Sequence, residues 1–320
     1  MQELLSFLPV IITSVDTTHS GTVGVDGKLY AYGHCGHLTG ADHQLLRQRV
    51  HIPLPWPITS VSCSDKTTAV VNCEGNVYLR GDVVTRYPDT ETTYPDWTAI
   101  PFPEPIVSTE IGYRCLLLLT LSGKVYSIGN HDDGQLGIGG GLPSVIDNVV
   151  TYTGVDKFTL VDLPFPCCQL KLKCSSVCAL TVDGSLYTWG HNSDGKLRLG
   201  KFLKSPTPVK VTLPKEELVA SVELTTFMLV LTVTGRLYIC GGSYNWYEMD
   251  EVCRLRQLGL NGLCRQMSAI YHPTTSCQVY SKLRGVRRIL TVTDDKVTML
   301  DDCPRCDNTT RYFLLDVIES

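Results

Sequence analysis

The chain has 320 residues, 43% of them hydrophobic and 19% charged, with a net charge of −4. This is the composition of an ordinary globular protein, and its mild acidity argues against a sequence-independent grip on nucleic acid, which draws on many Lys and Arg contacts to phosphate. No stretch reaches the ~20 apolar residues that a membrane-spanning helix requires.

Residues 1–12 are apolar but carry Glu3 and Pro9 and lack a basic leader. They read against a signal peptide and are expected to help close the fold together with residues 311–318. Residues 25–33, VDGKLYAYG, form the first of a series of hairpin signals. An acidic-Gly pair between alternating apolar residues predicts two strands joined by a two-residue type I′ turn, in which both central residues have φ > 0. His34-Cys35-Gly36-His37 follows. A zinc site needs four ligands, and no second paired cluster is evident, so these residues read as loop polar groups.

The second hairpin is 73–81, CEGNVYLRG. Residues 82–105 then read as a long connector rich in Pro and Thr, holding Tyr87, Tyr94 and Trp97. Connectors beyond ~12–15 residues are often functional. The run 115–120, CLLLLT, is apolar throughout and should be buried on both faces. It leads into the third hairpin, 121–129, LSGKVYSIG, and a second long connector at 142–166.

The fourth hairpin, 182–190, VDGSLYTWG, is the best copy, and the fifth is 233–241, VTGRLYICG. The segment 243–263 places Tyr244, Trp246 and Tyr247 beside acidic residues and then Arg254 and Arg256. Exposed aromatics and arginines are the chemistry of binding hot spots, and residues 249–258 could form a short helix. A degenerate sixth hairpin is 293–301, TDDKVTMLD, in which Asp295 replaces the turn glycine. The basic run 282–288 reads as a solvated loop face. Cys303 and Cys306 form a lone CxxC; a metal or redox role for it stays open, and most of the 14 cysteines read as buried, reduced thiols.

The turn glycines Gly27, Gly75, Gly123, Gly184 and Gly235 and then Asp295 are spaced by 48, 48, 61, 51 and 60 residues. A period near 50 marks a propeller blade or solenoid unit of about four short strands. The residues before Gly27 and after Asp295 together make about one more period, as expected of a closed ring. The expected fold is all-β: one domain over residues 1–320, a single β-propeller of six blades, alternatively seven, closed by the two terminal segments.

The repeat resembles that of the regulator-of-chromosome-condensation β-propellers, whose hairpin is followed by an Asn-x-x-Gly-Gln-Leu-Gly loop. Residues 129–140, GNHDDGQLGIGG, match that tail closely, 190–200 match it well, and 33–40 are a fragment. The resemblance implies a propeller that serves as a binding scaffold, and this fold supports many unrelated roles.

There is no phosphate-cradling GxGxxG or P-loop, no HExxH and no GxSxG. No cofactor is expected. The expected function is a non-catalytic adaptor or regulatory subunit, cytoplasmic or nuclear. It would bind one or more proteins through its loops at Tyr87, Tyr94, Trp97, Tyr244, Trp246, Tyr247, Arg254 and Arg256. The alternative, implied by the family, is guanine-nucleotide exchange on a small GTPase, which would need a protruding wedge. No direct nucleic-acid or membrane partner is expected.

Overall fold

The computed structural model describes residues 12–300 except 16–18, 24–25, 35–37, 39–44, 65–66, 85–90, 141–143, 147–148, 152, 193–194, 201–202, 226, 242–255, 258–266, 273–275, 284–285 and 293–296. Among the described residues the chain forms six four-stranded antiparallel sheets. Each is drawn from one contiguous stretch: residues 12–52, 58–100, 106–160, 167–211, 219–257 and 267–300. The first strand of each later sheet packs on the sheet before it, so the sheets stack in sequence order.

Stacking explains the hydrophobic pattern. The second strands Thr67–Asn72, Cys115–Thr120, Ser176–Thr181 and Phe227–Thr232 are buried at every residue. Successive side chains of a strand point to opposite faces. Leu116 and Leu118 therefore enter the layer shared with the second sheet, while Cys115, Leu117 and Leu119 enter the layer shared with the fourth. The outermost strand Gly154–Leu160 has one covering neighbour at most and no buried residue.

The turns differ from the expected type. In the fourth sheet Thr181 and Ser185 close the hairpin through Thr181 N–H to Ser185 O at 2.9 Å, and Gly184 N–H reaches Thr181 O at 2.9 Å. The loop is thus three residues, with Gly184 at φ +80° and Asp183 absent from the residues of positive φ. This is a type I turn followed by a left-handed glycine, the common three-residue hairpin. The same two bonds recur around Gly75, Gly123 and Gly235. A buried Asn72, Thr120, Thr181 or Thr232 stands three residues before each of these glycines.

The turns also join the sheets. The carbonyls of Gly27, Gly75, Gly123 and Gly184 accept the N–H of Ile58, Ile106, Cys167 and Val219 at 2.7–2.9 Å, each the first residue of the next sheet. The preceding Pro57, Pro105, Pro166 and Leu218 carbonyls in turn accept from Cys73, Leu121, Val182 and Val233 at 2.9–3.0 Å. One clamp thus repeats at four successive interfaces.

Three irregularities in the sequence resolve in the structure. The 61-residue spacing reflects an extra two-stranded hairpin, Ser144–Ile146 with Val149–Thr151, between the third and fourth strands of the third sheet. In the sixth sheet, residues 293–296 separate the third and fourth strands; the second and third, Ser276–Leu283 and Val286–Val292, meet with Leu283 opposite Val286. Gly285, in sequence between them, lies 50 residues after Gly235. Arg256 and Gln257 form a short fourth strand opposite Ile239 and Tyr238, rather than the end of a helix. The terminal segments named for ring closure, 1–11 and 301–320, lie outside the described residues.

Candidate protein-interaction surface

The tail motif after the third hairpin is a plug between sheets. Asn130 Oδ1 accepts the Asp132 N–H at 2.9 Å and Gln135 Nε2 at 3.0 Å. His131 Nδ1 accepts the Leu136 N–H at 3.2 Å, and its Nε2 donates to Gly139 O at 2.9 Å. Burial of this ring lowers its pKa, and both bonds suit the neutral tautomer. Leu136 is fully buried, and the Gln135 carbonyl accepts Trp189 Nε1 from the fourth sheet at 3.0 Å. The next copy repeats the arrangement. Leu197 is fully buried with its N–H on Asn192 Oδ1 at 2.9 Å, and the fifth sheet's Cys240 Sγ meets Gly195 O at 3.2 Å.

Asp133 of the first plug lies 2.7 Å from Lys204 Nζ and 3.2 Å from His191 Nδ1, both in the fourth sheet. Burial alone would raise its pKa. The hydrogen bonds and charges of His191 and Lys204 prevail and hold the carboxyl well below the usual carboxylate range. The Asp133 carboxylate therefore ties the third sheet to the fourth.

The first strands carry a second charged group. Equivalent positions in the third, fourth and fifth sheets hold Glu110, Lys171 and Glu223, and Lys171 Nζ lies 3.2 Å from Glu223 Oε2. Burial pushes the Glu110 carboxyl up from 4.5 to about 7. Lys171 lowers it, Glu223 raises it, and the Leu172 N–H and Lys173 lower it slightly. A native pKa above the unfolded one means that the folded chain holds a proton the unfolded chain has released. Stability therefore falls as pH rises from 4.5 toward 7 and levels off above. Glu110→Gln should remove this loss, so the variant gains stability relative to wild type as pH rises across that window. Urea unfolding midpoints at pH 5, 6, 7 and 8 check it, and a difference independent of pH would refute the assignment.

The sequence-predicted contact residues are spread out. The stretch 82–105 is mostly strand: the third and fourth strands of the second sheet are Val77–Val84 and Glu91–Ile100. They pair out to Val84 opposite Glu91, a ribbon longer than the corresponding hairpin of its neighbour. Tyr94 and Trp97 are half-buried and pack against the core layers on either side of the second sheet. Tyr87, Tyr244, Trp246, Tyr247 and Arg254 lie outside the described residues, as do Cys303 and Cys306. Arg256 is placed on its strand by backbone pairing alone.

Sequence reasoning missed the face that carries the turns. Four connectors cross it from the fourth strand of one sheet to the first strand of the next: residues 53–57 (PLPWP), 101–105 (PFPEP), 161–166 (VDLPFP) and 212–218 (TLPKEEL). All nine of their prolines are exposed. Beside them the residue two before the turn glycine is apolar yet 71%, 63% and 61% exposed at Leu121, Val182 and Val233. The clamp bonds from these residues to Pro105, Pro166 and Leu218 make the exposed apolar groups neighbours. Contiguous exposed apolar surface marks interaction sites more than scattered residues do. The signal was legible as a proline-rich stretch just before the first strand of the second, third and fourth units.

Among the described residues no group of three or more His, Cys, Asp or Glu side chains is placed to hold a metal, and no helix is long and apolar enough to cross a membrane.

The family model described as the regulator of chromosome condensation (RCC1) repeat matches residues 183–224, the fourth turn through the first strand of the fifth sheet. The X-linked retinitis pigmentosa GTPase regulator of Canis lupus familiaris is 28% identical over 162 residues, 49% of this chain and 15% of that protein. The regulator of chromosome condensation of Homo sapiens is 30% identical over 170 residues, 52% of this chain and 37% of that protein. The chain thus spans less than half the length of these relatives. Its fold is similar to that in the crystal structure of Kap60 bound to yeast RCC1 (Prp20), with a TM-score of 0.61 at 17% identity, covering 85% of this chain and 70% of that one. The hairpin with its left-handed glycine recurs from sheet to sheet, one copy of it lies in a stretch that matches the RCC1 repeat, and the fold of the chain is similar to that of solved RCC1 propellers.

Proposed function

We propose that residues 1–320 form one domain whose six sheets close into a ring, and that this ring is a non-catalytic adaptor or regulatory subunit that binds protein partners in the cytoplasm or nucleus. The observation that carries the reading is the division of labour within each unit. The clamps and plugs fix the sheets, while the connectors and the extended ribbon of the second sheet differ from unit to unit in length and sequence and stand on those supports. Such a scaffold is suited to recognition. The same clamp at four successive interfaces supports a regular stacking of sheets, which a ring also needs. The regulators among its relatives support the role. Cys73, Cys115, Cys167, Cys168, Cys174 and Cys178 carry unbridged thiols, three of them buried, which suits a reducing compartment.

The segment holding Tyr244, Trp246, Tyr247, Arg254 and Arg256, together with Tyr87, Tyr94 and Trp97, is the proposed contact region. Purification of the tagged chain from its own cells should recover a protein partner in fixed ratio. Replacing Trp246 and Tyr247 together by Ala should reduce that recovery without changing the melting temperature. A chain that elutes from native extract free of any protein partner would contradict the adaptor reading.

A second reading has one observation in its favour. Nucleotide exchange on a small GTPase needs a protruding wedge. The ribbon from Gly81 opposite Tyr94 to Val84 opposite Glu91 extends beyond its sheet and carries Asp82 and Glu91. Accelerated nucleotide release from one member of a panel of small GTPases, lost when residues 84–91 are replaced by a Gly-Ser turn, would establish exchange in place of a purely adaptor role.

A further inference from the structure

The outermost strand of the fourth sheet, Lys204–Val211, reads Lys-Ser-Pro-Thr-Pro-Val-Lys-Val. Ser205 and Thr207 are the only serine and threonine of the whole chain that precede a proline, and lysines flank them at 204 and 210. Pro206 and Pro208 remove two backbone N–H donors from this edge. The ladder to the third strand is interrupted there. Ser205 stands opposite Gly190 and Val209 opposite Thr188, so residues 206–208 bulge out of it.

The structure separates the two hydroxyls. Ser205 is 9% exposed, and its Oγ donates to the Thr207 carbonyl at 2.7 Å. Thr207 is exposed, and among the described residues its hydroxyl has no hydrogen-bond partner. Its methyl lies against the glycine-rich tail of the third sheet. A Cβ on Gly139 would stand 3.5 Å from Thr207 Cγ2, and one on Gly140 would meet nothing within 4 Å. The Gly139 N–H is bound to the Pro206 carbonyl at 2.9 Å, which fixes the bulge beside that tail. Thr207 thus stands on a supported but unpaired stretch of backbone, with open space over Gly140 for a larger group.

We propose that Thr207 is a phosphoacceptor for a proline-directed protein kinase, and that Ser205 is not. Such a kinase holds its substrate extended and packs the residue after the acceptor against an apolar surface. Proline suits that position, since it brings no N–H that would be buried unbonded. Lys210, three residues after the acceptor, is exposed and offers a cation to acidic groups of the kinase. Residues 206–208 can be lifted without breaking a bond of the ladder. In the transfer, Thr207 Oγ1 bonds to the γ-phosphorus of ATP. The bond from that phosphorus to the bridging oxygen of the β-phosphate breaks, ADP leaves, and the hydroxyl proton passes to the kinase's catalytic carboxylate. The product carries about −1.5 to −2 charges at pH 7, which offsets Lys204 and Lys210 and removes the net positive charge of this edge. The modification does not require the contact region around Trp246.

The test incubates the folded full chain with γ-labelled ATP and, in separate reactions, a cyclin-dependent kinase and a mitogen-activated protein kinase, both proline-directed. At least one should transfer close to one phosphate per chain, and peptide mass spectrometry should place it on Thr207. Thr207→Val should lower incorporation at least tenfold with an unchanged melting temperature. Thr207→Ser should restore it, and Ser205→Ala should keep it. A kinase that selects arginine before the acceptor should leave Thr207 unlabelled. Label on Ser205, incorporation that survives Thr207→Val, or labelling of the isolated peptide 201–213 but not of the folded chain would each overturn the assignment. So would the absence of label from both. These outcomes leave recovery of a partner through the Trp246 region unaffected, so failure here is distinguishable from failure of the adaptor reading.

Discussion

Trp189→Ala should lower stability by about 3–5 kcal/mol, the range for deleting a fully buried indole. Trp189 has no exposed surface and lies in the layer between the third and fourth sheets, beside Leu136 and Val177. Its Nε1 bond to the Gln135 carbonyl at 3.0 Å crosses from one sheet to the tail of the other, so truncation opens a cavity and removes the donor in one step. Trp189→Phe separates these effects. It keeps most of the packing but strips the donor from a buried carbonyl, a loss of about 1–3 kcal/mol. Denaturant titration of both variants is the measurement. Equal costs for Phe and Ala would show that the bond dominates, and a cost near zero for either would contradict the burial of this residue.

Gly184→Val should cost a similar amount, about 3–5 kcal/mol, by combining backbone strain with overpacking. Gly184 has φ +80°, a conformation that a β-branched residue tolerates poorly, and a Cβ there would stand 2.9 Å from the Cβ of Leu218. Leu218 cannot retreat easily, because its carbonyl accepts the Val233 N–H at 3.0 Å and the adjacent Val219 N–H is bound to Gly184 O at 2.9 Å. The strain therefore falls on the clamp between the fourth and fifth sheets. Gly184→Asn keeps access to the left-handed region and should cost clearly less, although it meets the same Leu218 contact. A melting temperature unchanged in the Val variant would refute the turn geometry.

The period near 50, the all-β class and the strands on either side of each turn glycine were legible because a hairpin is local. Its turn residue and its alternating pattern lie within a dozen positions. The outermost strands were not legible in the same way. Residues 91–100 and 154–160 read as connector because an edge strand covered on one side carries no strong alternation, and Pro95 interrupts the pattern. The sixth unit misled for a related reason. Its Asp294-Asp295 pair imitates a turn signal, and only pairing with neighbouring strands places it one hairpin further out.

The candidate sites divide along the same line. Aromatics such as Tyr94 and Trp97 look available in a sequence, but packing against two core layers leaves them half-buried. Glu74 and Glu104 are 30 residues apart, yet both line one surface groove because the clamp brings a turn against the next connector. Sequence by itself determined the repeating unit, its turn glycines and the resemblance to the RCC1 repeat, since each depends on residues close together along the chain. Only the tertiary structure decided which carboxylates are paired, which apolar residues stay exposed and where a groove opens, because those outcomes depend on one sheet's contact with the next.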